Sequence, residues 1–172
     1  MENGLITGPA DIGKTTFLTV VILEALSSTV FHCGIVDPLN RNGLPELFVE
    51  GTIRVATTRS QAGDLLAAFA REVDTRTPHG ERYRNPSPEY PGMLLAIDDA
   101  HEVLRDPDAA SLAAHIAING PREGVGIVVS TMSVDVEDFA GHRDLLLALS
   151  KENTVIFNQE QLYQVLRLRG QD

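Results

Sequence analysis

At 172 residues, 43% of them hydrophobic and 22% charged, the chain has the proportions of one compact domain, able to bury about 70% of its unfolded surface without staples. Fourteen Lys and Arg against 24 Asp and Glu leave a net charge of −10, which opposes free, non-specific binding to nucleic acid while leaving room for a local arginine patch. The single cysteine, Cys33, excludes an internal disulfide framework and points to a reducing cytoplasm.

In chain order, the first apolar run, Gly4 to Thr7, reads as a buried strand. A helix over Lys14 to Leu26 follows, with Phe17, Val20, Val21 and Leu26 assigned to its core-facing stripe. Val30 to Val36 is a second strand, and Thr52 to Ala56 alternates apolar with polar residues as a strand near a sheet edge does. Ser60 to Val73 is the next helix. Asp74 to Gly92 carries Pro78, Pro86, Pro88 and Pro91 and fits no regular element. Its charges balance, with Arg76, Arg82 and Arg84 against Asp74, Glu81 and Glu89; it reads as a flexible surface loop, with a functional lid as the alternative.

Met93 to Ile97 and Gly126 to Thr131 are further buried strands, separated by a helix over Ala109 to Asn119 that turns Leu112, Ala113, Ile116 and Ala117 inward. A shorter helix around His142 to Ser150 and a strand over Thr154 to Phe157 complete the pattern. Parallel strands need crossovers and helices are their usual cover, so the alternation predicts a single α/β domain over residues 1–172 with a mainly parallel sheet. The longest greasy stretch, Phe17 to Leu26, is broken by Glu24 and falls short of the ~20 apolar residues of a membrane span. Met1-Glu2-Asn3-Gly4 has neither the basic start nor the apolar core of an export signal, and the expected location is the cytoplasm.

Gly8-Pro9-Ala10-Asp11-Ile12-Gly13-Lys14-Thr15 matches the Gly-x4-Gly-Lys-Thr phosphate-binding loop, in the required place between a strand and a helix. Glycines at the bends let successive backbone N–H groups and the positive helix end surround a polyphosphate. Lys14 is assigned to the β and γ phosphates of ATP, Thr15 to Mg²⁺, and Thr16 joins the phosphate-binding set. Asp11 is an unusual acidic neighbour for phosphate.

The second half of such a site is an acid at the end of an apolar strand, which Met93-Leu94-Leu95-Ala96-Ile97-Asp98-Asp99 supplies. Asp98 is the candidate metal-side carboxylate, and Asp99 the candidate that orients or deprotonates the attacking water. The plainer alternative is that the pair caps the helix that follows. His101 and Glu102 are expected on a solvated helix surface. Ser130 and Thr131 close another apolar strand, either as contacts for the γ phosphate or its water or simply as the strand's end.

Taken together, Gly8 to Thr15, the strand ending in Val36-Asp37-Pro38, Arg54-Val55-Ala56-Thr57-Thr58, Ile97-Asp98-Asp99-Ala100-His101, Gly124 to Thr131 and Asn153-Thr154-Val155-Ile156-Phe157 resemble the motor domain of FtsK/SpoIIIE-type DNA translocases, nearest their TraB-like conjugative branch. The resemblance implies a three-layer RecA-like P-loop ATPase that forms a ring around double-stranded DNA, or joins a larger assembly, and pumps the DNA with ATP and magnesium. Family members usually carry Glu where this chain has Asp99, Gln where it has Met132, and Arg where it has Asn158. Asp99 is one methylene shorter than Glu, and a water misplaced by about 1 Å costs on the order of 10²-fold; Met132 cannot usefully hydrogen-bond a phosphate.

The expectation is a reduced member of the family, the motor without membrane anchor, ring-building domain or DNA-reading tail. Arg122 and Arg143 are candidates for an arginine donated to a neighbour's nucleotide, against a default of solvated surface positions. A nucleotide-dependent interaction module with weak or no hydrolysis is the alternative function, favoured by the departures at Asp99, Met132 and Asn158. A small nucleotide or nucleoside kinase ranks third, because its arginine lid would have to come from the charge-balanced Asp74 to Gly92 segment.

Overall fold

The computed structural model describes residues 2–39, 53–76 and 86–170. Its elements are β1 (Gly4–Thr7), α1 (Lys14–Ser27), β2 (Phe31–Val36), β3 (Ile53–Ala56), α2 (Arg59–Arg76), β4 (Gly92–Ile97), α3 (His101–Leu104), α4 (Pro107–Asn119), β5 (Val125–Thr131), α5 (Arg143–Ser150), β6 (Asn153–Ile156) and α6 (Gln159–Arg169). Six strands form one sheet in the order β3-β2-β4-β5-β1-β6, and every pairing is parallel. The predicted edge strand is at the edge.

Side chains alternate between the two faces of the sheet, and two apolar clusters result. On one face Leu5, Leu95, Ile97, Ile127 and Val129 pack with α2, α4 and α5 through Leu66, Phe69, Ala113, Ile116, Leu145 and Leu149. On the other, Ile6, Ile35, Leu94, Ala96 and Val128 pack against Leu18 and Ile22 of α1. The chain is thus a three-layer α/β structure whose inner strands, covered on both faces, read as nearly continuous apolar runs, while the edge strands β3 and β6 stay partly exposed.

The face that α1 buries differs from the expectation. Leu18 and Ile22 are fully buried, whereas Phe17 and Val20 are 40% and 51% exposed; Val21 and Leu26 are partly buried against the α1-side cluster. This helix is apolar nearly all round, so periodicity leaves its rotation open. Leu18 and Ile22 lie four and eight positions after Lys14, the one buried residue of the first turn, so the rotation that turns the lysine inward also selects them.

Local chemistry moves several boundaries. The helix predicted to end at Val73 continues to Arg76, whose guanidinium bonds Glu72 at 2.8 Å and the Glu123 carbonyl at 3.1 Å. Asp74 to Arg76 is therefore helical, a correction to the irregular reading of that stretch, and Gly92 already belongs to β4. Residues 77–85, including Pro78, Glu81, Arg82 and Arg84, lie outside the described residues. Helix α4 begins two residues early because Asp106 accepts the Ala109 N–H at 2.9 Å and Pro107 takes the first turn.

Helix α6 has no counterpart in the expectation. Its apolar stripe is thin, with only Gln161 and Val165 buried, but its ends are marked: Asn158 accepts the Glu160 N–H at 2.6 Å, and Gly170 closes the helix at φ 71°. Asn158 is this helix's N-cap.

Candidate nucleotide-binding site

The loop of residues 8–13 leaves β1 at the carboxyl end of the sheet, and Asp98 leaves β4 at the same end. Strand β5 lies between β1 and β4, so the two halves of the site are two strands apart.

Each motif glycine has its own physical reason. A Cβ on Gly8 would come within 2.8 Å of the Phe157 Cβ and 3.1 Å of Ile12 Cγ2, so the loop starts where only glycine fits. Gly13 takes φ 99° as the residue before α1, a conformation side chains resist. Asp11 has φ 58°, and aspartate is among the few side-chain residues that tolerate this region, which gives a local reason for an acid inside the loop. Pro9, Ala10, Asp11, Ile12 and Gly13 are exposed, as is Thr16; Lys14 is buried beneath them and Thr15 half-buried.

Lys14 Nζ donates to the Pro9 carbonyl at 2.5 Å. Burial is the larger influence on its pKa and lowers it below the ordinary lysine value, opposed in decreasing order by the charges of Asp99, Asp98 and Asp11. The ammonium and the acidic tip of β4 thus face one space, although 83 positions separate Thr15 from Asp98. The Thr15 hydroxyl donates to Asp98 Oδ2 at 2.8 Å, and the Ser130 hydroxyl donates to Asp98 Oδ1.

Asp98 is therefore not a helix cap. The following short helix α3 takes Ala100 at its N-cap position and has no side-chain capping bond. Asp98 is buried at the strand's tip and Asp99 is half-buried at φ 44°. A threonine hydroxyl and a carboxylate 2.8 Å apart are hard oxygen donors of the kind magnesium takes, with room in its shell for phosphate oxygens and water. Among the described residues no group of three or more His, Cys, Asp and Glu side chains could hold a metal ion.

Other predicted residues fall in different places. Thr131 is buried, and its hydroxyl donates to the Ser133 carbonyl at 2.9 Å while accepting the Ser133 N–H at 3.3 Å, closing the turn after β5. Its carbonyl accepts the Gly8 N–H at 3.3 Å, so its backbone supports the loop. Met132 is 42% exposed. His101, expected in solvent, is 6% exposed with its Nε2 3.7 Å from Glu102, and Glu102 pairs with Arg59 at 3.3 Å. Arg122 precedes β5 at the opposite end of the sheet, and Arg143 is exposed at the start of α5 with a bond to the Leu168 carbonyl at 3.3 Å.

One site feature carried no clear sequence signal. Phe157 packs against Gly8 under the loop, and its N–H bonds the Thr7 carbonyl at 2.9 Å, continuing the β1–β6 ladder. Ser130, expected as a phosphate-side contact or a strand end, bonds both acids, donating to Asp98 Oδ1 and accepting the Asp99 N–H at 3.2 Å.

No family model and no curated protein matches the sequence. Solved structures do match in fold. The conjugation coupling protein TcpA of pCW3, in monomer form with ATPγS, superposes with a TM-score of 0.71 at 14% identity over 95% of this chain and 51% of its own. The cytoplasmic domain of EssC gives 0.70 at 17% identity over 96% of this chain and 35% of its own. The genome packaging NTPase B204 of Sulfolobus turreted icosahedral virus 2, in complex with AMPPCP, gives 0.55 at 14% identity over 96% and 80%. This chain thus shares the three-layer α/β fold of these proteins and spans about half or less of the first two chains it resembles.

Proposed function

We propose that the chain is a magnesium-dependent ATPase domain of the FtsK/TraB-like motor type, working with double-stranded DNA as part of a ring or a larger assembly in the cytoplasm. The observation that carries this reading is the 2.8 Å bond between Thr15 and Asp98 beneath a phosphate-loop motif. It joins the two halves of an ATP–magnesium site in a fold that similar structures use with ATPγS and AMPPCP.

In this reading the backbone of Gly8 to Lys14 cradles the triphosphate, and Lys14 exchanges its bond to the Pro9 carbonyl for the β and γ phosphate oxygens. Thr15 and Asp98 hold the magnesium, which supplies charge neutralisation for the phosphates. Asp99, the acid with the largest charge effect on Lys14, accepts the proton of the attacking water as the water oxygen bonds the γ phosphorus and the bond to the β–γ bridging oxygen breaks. DNA as the polymer is supported by two similar structures, a conjugation coupling protein and a genome packaging NTPase. The net charge of −10 assigns DNA binding to the assembly more than to the isolated domain. A buried free thiol, Cys33, with burial pushing its pKa up to about 11, suits the reducing compartment.

The interaction-module reading keeps one specific support, the exposed thioether of Met132 at the tip of β5. The kinase reading loses Arg76 from its lid, because that side chain is bound to Glu72 and to the Glu123 carbonyl at the end of the sheet opposite the loop. Phosphate release measured with and without duplex DNA tests the proposal. Release stimulated by DNA and lowered about 10²-fold or more by Asp99→Asn, with ATP binding retained, is the expected result. ATP binding without DNA-stimulated turnover would favour the interaction module.

A further inference from the structure

The backbone ladder between β4 and β5 has its last pair at Ile97 and Val129, where β4 turns away. One step beyond, Ser130 takes over with three bonds to three consecutive residues. Its hydroxyl donates to Asp98 Oδ1 and accepts the Asp99 N–H at 3.2 Å, and its carbonyl accepts the Ala100 N–H at 2.8 Å. Ser130 is completely buried, so these bonds do not compete with solvent.

The bonds have a directional consequence. With Oδ1 committed to Ser130, the Asp98 carboxylate is held in one plane and presents Oδ2 to Thr15. The second bond fixes the peptide of Asp99 at φ 44°, a left-handed conformation that aspartate is among the few side-chain residues to tolerate.

We propose that Ser130 is the positioning residue of the magnesium site, a single buried hydroxyl on the central strand that orients the metal-side carboxylate and sets the backbone turn of the acid beside it. This role differs from both sequence expectations for Ser130, a contact for the γ phosphate or its water and a plain strand end, and it rests on the ATP–magnesium reading above. Groups that orient a metal ligand from behind typically change metal affinity by about 10- to 100-fold when removed.

The test is a Mg²⁺ titration of the whole chain in saturating ATPγS, read as thermal stabilisation, alongside ATPγS affinity in EDTA. Ser130→Ala is expected to need about tenfold more Mg²⁺ or higher for half-maximal stabilisation, with the EDTA affinity unchanged. Ser130→Thr, which keeps the hydroxyl, is expected to recover most of the loss; Ser130→Cys, similar in size and a weaker donor, is expected to lie between and serves if the alanine variant does not fold. A parent chain that responds to Mg-ATPγS while Ser130→Ala and Ser130→Cys titrate identically to it overturns the inference alone. Equal loss of affinity with and without Mg²⁺ also overturns it, because that is the mark of a general structural role. A parent chain that ignores Mg-ATPγS overturns the ATPase reading and the inference with it.

Discussion

Gly8 and Phe157 approach so closely that a Cβ added to the glycine would sit 2.8 Å from the Cβ of the phenylalanine. The aromatic residue cannot give way easily, because its own N–H is bound to the Thr7 carbonyl at 2.9 Å. Gly8→Ala must therefore displace the loop, and it is expected to cost about 1–3 kcal/mol of stability and to weaken ATP binding. Adding Phe157→Ala is not expected to rescue it, since alanine keeps the offending Cβ. Thermal unfolding of the single and double variants, with and without Mg-ATP, checks both points.

Asp11 is exposed, left-handed at φ 58°, and close enough for its charge to act on Lys14. Beside a triphosphate that charge repels. Asp11→Asn keeps a residue type that accepts the backbone conformation and removes the repulsion, so calorimetric titration is expected to give ATP affinity tighter by on the order of fivefold, about 1 kcal/mol. The gain is expected to shrink with added salt. Weaker binding by the variant would mean that the carboxylate itself serves the ligand.

The Arg105–Asp138 pair gives a pH-dependent term away from the site. Burial works against ionisation of Asp138, but hydrogen bonds from Arg105 and Ser133, the Arg105 charge and the charge of His101 together hold its pKa below the ordinary 3.8. A carboxylate with a depressed folded pKa contributes stability that is present above its unfolded pKa and lost as pH falls through the folded one. Asp138→Asn is expected to destabilise by about 0.5–1 kcal/mol at pH 7, with the gap to the parent closing below the ordinary pKa of 3.8. Denaturant unfolding at pH 7 and at a pH below 3.8 measures the gap.

Much of this molecule was legible in its sequence where chemistry is local. The phosphate loop needs glycine at Gly8 and Gly13 and an aspartate-tolerant turn at Asp11, and all three are written in eight consecutive residues. The buried strands announce themselves because both faces are covered. What sequence left open depends on distant partners. The rotation of α1 is undetermined by a helix apolar on every side until Lys14 is seen to turn inward. His101 looks like a surface residue until the packing around α3 buries it. The role of Ser130 needs the strand order, since only a β5 lying between β1 and β4 puts its hydroxyl on Asp98. Helix α6 was missed for a different reason: its stripe is thin, and the Asn158 and Gly170 caps were the only strong marks.

The most direct measurement compares thermal unfolding of the parent chain and Lys14→Met, each with and without millimolar Mg-ATP. Lys14 is a buried ammonium whose pKa burial depresses, so replacing it with an apolar chain of similar length is expected to leave the nucleotide-free melting temperature unchanged or raised. The parent is expected to gain about 2.7 kcal/mol of stability when ATP stands a hundredfold above its dissociation constant, and the variant to gain almost nothing. A parent that melts at the same temperature in Mg-ATP as without it, or a variant stabilised as fully as the parent, would contradict the account.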